Sequence, residues 1–158
     1  TMSDRVILAA FGGQQRLEFL HETFCELRRR GVTMLLLTEA PSGNVFGALE
    51  RTRLIEFFRK APALDDVARP VVVGEMHDYR IWSGVDARAE RDTATKLDYV
   101  REKVDQMGMR PSQAVVVDED NVVRADIRKH DAAATVPTSR NGMSDDVLNE
   151  LLSLAETD

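Results

Sequence analysis

Four short stretches carry the residue types that a reaction or a small ligand needs. They are "AAFGGQQ" at 9–15, Thr38 at the end of "VTMLLLT" (32–38), Lys96 just after "DTAT", and Asp118-Glu119-Asp120 at the end of "AVVVD" (114–118). Two glycines between an apolar run and an amphipathic helix leave backbone N–H groups free for an anion. Thr38 adds a hydroxyl donor. Lys96 adds a cation near a helix start, where it opposes the macrodipole; taken alone it reads first as a solvent-facing lysine, with a purpose other than helix stability as the alternative. Gly12, Gly13, Thr38 and Lys96 are therefore the expected anion-binding residues. The acidic cluster Asp118-Glu119-Asp120 could hold a hard cation through oxygen ligands. Yet "AAFGGQQ" holds no acid, base or nucleophile. Each feature also has a purely structural reading: a tight turn at the glycines, a strand end at Thr38, a helix cap at 118–120.

The remaining chemistry-bearing residues offer less. Cys25 is the one cysteine, so no internal disulfide can form. That fits a reducing compartment, and its place beside an apolar helical stripe marks it as a small core or boundary side chain. His21, His77 and His130 show no metal-ligand spacing and read as structural or surface residues. Arg28 to Arg30 suit the negative end of a helix.

Bulk properties narrow the function classes. The 158 residues suit a single domain, 1–158, with one sizeable core. A net charge of −6 argues against a general nucleic-acid binder, which needs a basic face to displace counterions. No apolar run approaches the ~18 residues of a membrane span, and no basic-then-apolar leader is visible. An intracellular, cytoplasmic protein is the expectation.

Elements must position these residues, and the apolar pattern supplies them. "VILAA" (6–10), "VTMLLLT" (32–38), "VVV" (71–73), "AVVVD" (114–118) and "AAATV" (132–136) read as strands. Between them, Leu17, Leu20, Phe24 and Leu27 form one helical stripe, and Leu97, Val100, Val104 and Met107 another. Gly31 and Gly108 suit helix C-termini. Asn44 is expected to cap a helix through Val45, Ala48 and Leu49, followed by an apolar cluster of Leu54, Ile55, Phe57 and Phe58. Val123 and Ile127 suggest a short helix, and Ser144 caps a last one lined by Leu148, Leu151, Leu152 and Ala155. Residues 75–95 show no period, and read as a partner or pocket loop or as a plain insertion. Alternation of strands and helices predicts an α/β fold: a Rossmann-like three-layer α/β/α arrangement with a mostly parallel five-stranded sheet. Ligands of such sheets bind at the carboxyl ends of the strands.

In order and spacing, the four stretches resemble the haloacid dehalogenase-like superfamily, over nearly the whole chain. "GVTMLLLTEA" with "VFGALERTRLIEFF" resembles its second motif, Lys96 stands at its third, and "AVVVDED" resembles its fourth. "GMSDDVLNELL" resembles its closing segment. The resemblance implies such a core without a large cap. It also implies a Mg²⁺-dependent phosphatase site whose first motif carries two aspartates, one a nucleophile and the other a general acid and base. Here Ala10 and Gly12 occupy those positions. No room remains before Leu17 for the flap that gates such pockets. The expectation is thus a catalytically inactive pseudo-phosphatase that binds a protein partner, with 75–95 as a contact loop, or a phosphate-like anion. It would use no cofactor, or weakly bound Mg²⁺ at Asp118 and Glu119. Two alternatives stand beside it: a Mg²⁺-dependent phosphohydrolase using Glu39 or Asp118, and a non-hydrolytic nucleotide or phosphate binder.

Overall fold

The computed structural model describes residues 13–60, 79–90, 95–139 and 143–155. The strands expected at 6–10 and 71–73, and with them Ala10, Gly12 and His77, lie outside the described residues. The chain divides into two compact units, Thr1–Asp86 and Ala87–Asp158.

In the first unit, helix α1 (Gln14–Arg29) buries Leu17, Leu20, Phe24 and Leu27, the expected stripe, together with Thr23. Gly31, at φ 81°, turns the chain out of the helix. Its N–H donates to the Arg28 carbonyl and that of Val32 to Leu27, each at 3.0 Å. This pairing satisfies carbonyls that a helix end would otherwise leave without partners. Strand β1 (Leu36–Thr38) follows, then helix α2 (Ser42–Arg51) and a 3-10 turn at Ile55–Phe58. Pro41 stands at the N-cap position, so Asn44 lies inside α2 rather than capping it. Proline suits a helix start because its missing N–H would have no helical partner there. Leu54, Ile55, Phe57 and Phe58 are all buried. Phe24 meets Phe57 and Phe58 edge to face, with ring centroids 5.6 and 6.2 Å apart. Each such pair contributes about 0.5–1.5 kcal/mol beyond burial.

Part of the stretch expected to lack an element is ordered. Strand β2 (Ile81–Ser83) pairs parallel with β1, Leu36 opposite Ile81 and Thr38 opposite Ser83. Helix α3 (Gly84–Glu90) follows directly. Tyr79 forms an antiparallel bridge with Arg59, so 79–83 is drawn in from both sides. Tyr79, Trp82 and Ser83 are buried. Charged neighbours hide this apolar segment from a periodicity reading.

In the second unit, helix α4 (Lys96–Gln106) is capped by Thr95, whose side chain accepts the Asp98 N–H. Gly108, at φ 63°, ends it as Gly31 ends α1. Strand β3 (Val115–Asp118), helix α5 (Asn121–Lys129) and strand β4 (Ala134–Pro137) make one parallel β-α-β unit, with Val115 opposite Ala134 and Asp118 opposite Pro137. Its core holds Val116, Ile127, Ala132, Ala133 and Val136. Helix α6 (Asp145–Leu154) is capped by Ser144 and buries Leu148 completely.

The expected five-stranded, three-layer sheet is not what forms. The described residues are mostly helical, with six α-helices and two separate two-stranded parallel sheets. The apolar runs do mark β-α-β order, but they do not say which strands share a ladder. Of "VTMLLLT" only Leu36–Thr38 pairs, and its partner is a strand the apolar pattern did not mark. Among the described residues no helix is long and apolar enough to cross a membrane.

Candidate functional site

The carboxyl end of β3 gathers the most chemistry. Lys96, the first residue of α4, places its ammonium Nζ 2.7 Å from Asp118 Oδ2. The side chains are 13% and 7% exposed, respectively. The cation that opposes the α4 dipole is thus held by a buried carboxylate. The other oxygen, Asp118 Oδ1, accepts the Asp120 N–H at 2.9 Å. Asp120 in turn caps α5 by accepting the Val122 N–H at 2.9 Å. Arg124, on the first turn of α5, donates from Nη1 to the Asp118 carbonyl at 2.6 Å. Helical side chains lean toward the helix N-terminus, which brings this guanidinium back to the strand end. Arg124 does not stand out in the sequence. The signal available was its spacing, a basic residue one turn into the helix that follows an acidic strand end.

A metal does not fit this end. Both Asp118 oxygens are engaged by N–H donors, and Glu119 is an exposed carboxylate beside them. Among the described residues no group of three or more His, Cys, Asp or Glu could hold a metal ion. At the amino ends of β3 and β4 lies a shallow depression lined by Pro111, Ser112, Asp131, Ala133 and Ala134.

In the first unit, the carboxyl ends of β1 and β2 are tied by hydroxyls. Thr38 Oγ1 accepts the Ala40 N–H at 3.0 Å. Ser83 Oγ donates to the Ala40 carbonyl at 2.7 Å and accepts the Asp86 N–H at 3.3 Å. Asp86 Oδ2 accepts both the Ser42 hydroxyl and, at 3.2 Å, the Ser42 N–H. Asp86 therefore does for α2 what a capping side chain normally does from within the helix's own segment. Ser42, Ser83 and Asp86 carried no signal in the sequence, because the partners are more than forty residues apart. The Glu39 carboxylate lies against Gly84, where any β-carbon would overlap it.

The expected anion-binding set therefore falls in two places. Gly13 (φ 93°) and Thr38 belong to the first unit, and Lys96 belongs to the second. Cys25 is half-buried, with Sγ 3.7 Å from His21 Nδ1. His21 stacks edge to face on Phe57 at 5.0 Å. Arg28 lies over the Phe57 ring at 4.8 Å, and Arg29 and Arg30 pair with Glu26. The triple arginine is thus engaged within its own unit. The chain matches no protein-family model, no curated protein and no solved structure.

Proposed function

We propose that the chain is a catalytically silent relative of the haloacid dehalogenase-like superfamily that binds a phosphate-like anion without reacting with it. One observation carries the binding half of this reading. The Lys96 ammonium is fixed by a buried carboxylate, and among the described residues Asp118 is its one partner. Two of its three N–H donors remain for an anion's oxygens.

The silence rests on the residues that would have to attack. "AAFGGQQ" holds no carboxylate where the resemblance puts the nucleophile. Asp118 spends its oxygens on Lys96 and on the Asp120 N–H. A nucleophile must instead stand free and in line with its target. These observations weigh against both the phosphohydrolase alternative and a role for Mg²⁺.

Two measurements test the reading. Turnover of a generic phosphate ester, with and without Mg²⁺, is expected to stay at the uncatalysed rate. Mg²⁺-dependent turnover that vanishes in Lys96→Ala would refute the silent half. Inorganic phosphate is expected to raise the melting temperature in a concentration-dependent way, as any ligand of the folded state does. No shift would refute the binding half.

A further inference from the structure

We propose that Arg124 is the second cation of this anion site, and the one that selects a tetrahedral oxyanion over a planar one. The inference rests on the anion-binding reading above and goes beyond it by naming a residue and a ligand geometry. Asp118 is the hub. Its carboxylate holds the Lys96 ammonium at 2.7 Å and its carbonyl holds the Arg124 guanidinium at 2.6 Å. The same carbonyl accepts the Thr138 N–H at 3.3 Å, at the end of the partner strand β4. Two cations are thus fixed to one buried residue where two parallel strands end.

The donors left over define what the pair can hold. Among the described residues the Arg124 side chain has one acceptor, the Asp118 carbonyl. A guanidinium has five N–H donors in a rigid fork, so four remain, and the fork matches two oxygens of one anion. The Lys96 ammonium has two N–H donors beyond the one it gives Asp118. A tetrahedral phosphate has oxygens for both at once. A planar carboxylate fills the fork and leaves little for the ammonium. The neighbouring carboxylates do not occupy these donors. Asp120 is turned to the Val122 N–H, and Glu119 is exposed, where water and salt screen it.

The test is ligand-observed NMR titration of the full chain with inorganic phosphate, phenyl phosphate and acetate. The wild type is compared with Arg124→Lys, Arg124→Ala and Lys96→Met. Wild type is expected to bind the two phosphates more tightly than acetate. Arg124→Lys keeps the charge but loses the fork, so phosphate affinity falls roughly tenfold while acetate affinity falls less. Lys96→Met weakens phosphate binding as well. Unchanged amide spectra in Arg124→Lys separate this effect from misfolding. Tighter binding of phenyl phosphate identifies a phosphate ester as the source of the anion; tighter binding of inorganic phosphate identifies the free ion. Both support the site. Phosphate binding retained in Arg124→Lys and Arg124→Ala but lost in Lys96→Met overturns the role of Arg124 alone. Absence of phosphate binding in wild type overturns the anion reading itself.

Discussion

Replacing Lys96 with methionine isolates the energetics of the buried pair. Methionine keeps the apolar stem of lysine and removes the charge, so the Asp118 carboxylate stays buried with only the Asp120 N–H to stabilise it. Removing one partner of a buried ion pair costs about 3–5 kcal/mol. Because Asp118 keeps one N–H donor, we expect the low end, about 3 kcal/mol. Asp118→Asn is milder. Its amide oxygen still accepts a hydrogen bond, and Lys96, at 13% exposure, can turn its head toward water; about 1–2 kcal/mol is expected. The double variant buries no charge. It should therefore cost about 2 kcal/mol less than the sum of the two single changes. Urea unfolding followed by far-ultraviolet circular dichroism at neutral pH measures all four proteins. Circular dichroism is preferred to fluorescence because the one tryptophan, Trp82, lies in the first unit. Additivity within about 0.5 kcal/mol would refute the argument, since it would mean that the two charges do not depend on each other.

Two further outcomes follow from the first unit. Asp86→Ala leaves the Ser42 N–H and hydroxyl without their acceptor and is expected to cost about 1–3 kcal/mol. Asp86→Asn, which keeps an acceptor oxygen, costs less; Trp82 fluorescence in urea reads both, and an alanine variant as stable as wild type would show the clasp to be idle. Glu26 titrates well below its usual value, at about 2 rather than 4.5, because the side chains of Arg29 and then Arg30 hydrogen-bond its carboxylate. The same bond raises the Arg29 pKa. The folded-state value of Glu26 is depressed, so its contribution to stability is present above pH 4.5 and fades as the pH falls toward 2. A carboxylate titration by NMR should find the low value in wild type and a return toward 4.5 in Arg29→Gln. A Glu26 value of 4.5 in wild type would contradict the bidentate pairing.

The ends of α1, α4 and α6 were legible because their causes are local. Gly31 and Gly108 relieve a positive φ that most residues resist, and Ser144 offers its hydroxyl to an N–H three residues away. The apolar stripe of α1 was equally plain, since its 3.6-residue period needs no knowledge of the partner face. Asp131, in the left-handed conformation that ends α5, was less visible because glycine is the usual signal for that turn. Strand β2 was not visible at all. Three residues are too few for a period, and arginine and aspartate flank "IWS" closely.

Lys96 and Asp118 were singled out by residue type and order along the chain, and the fold brings them to 2.7 Å. Their roles within that pairing were open until then. Arg124, Ser42, Ser83 and Asp86 became candidates only through their partners.

The sequence alone determined the buried stripe of α1, the glycines that end α1 and α4, the serine that caps α6 and the absence of a nucleophile from "AAFGGQQ". All of these are properties of neighbours within a few residues, where side-chain type and backbone preference act directly. Tertiary structure decided which strands pair, that Lys96 engages Asp118, that Arg124 reaches the same strand end, and that Asp86 caps a helix more than forty residues away. Those outcomes depend on hydrogen bonds between segments distant along the chain. A hydrogen bond of that kind is fixed by where packing brings two groups, and neither group's local sequence carries that position.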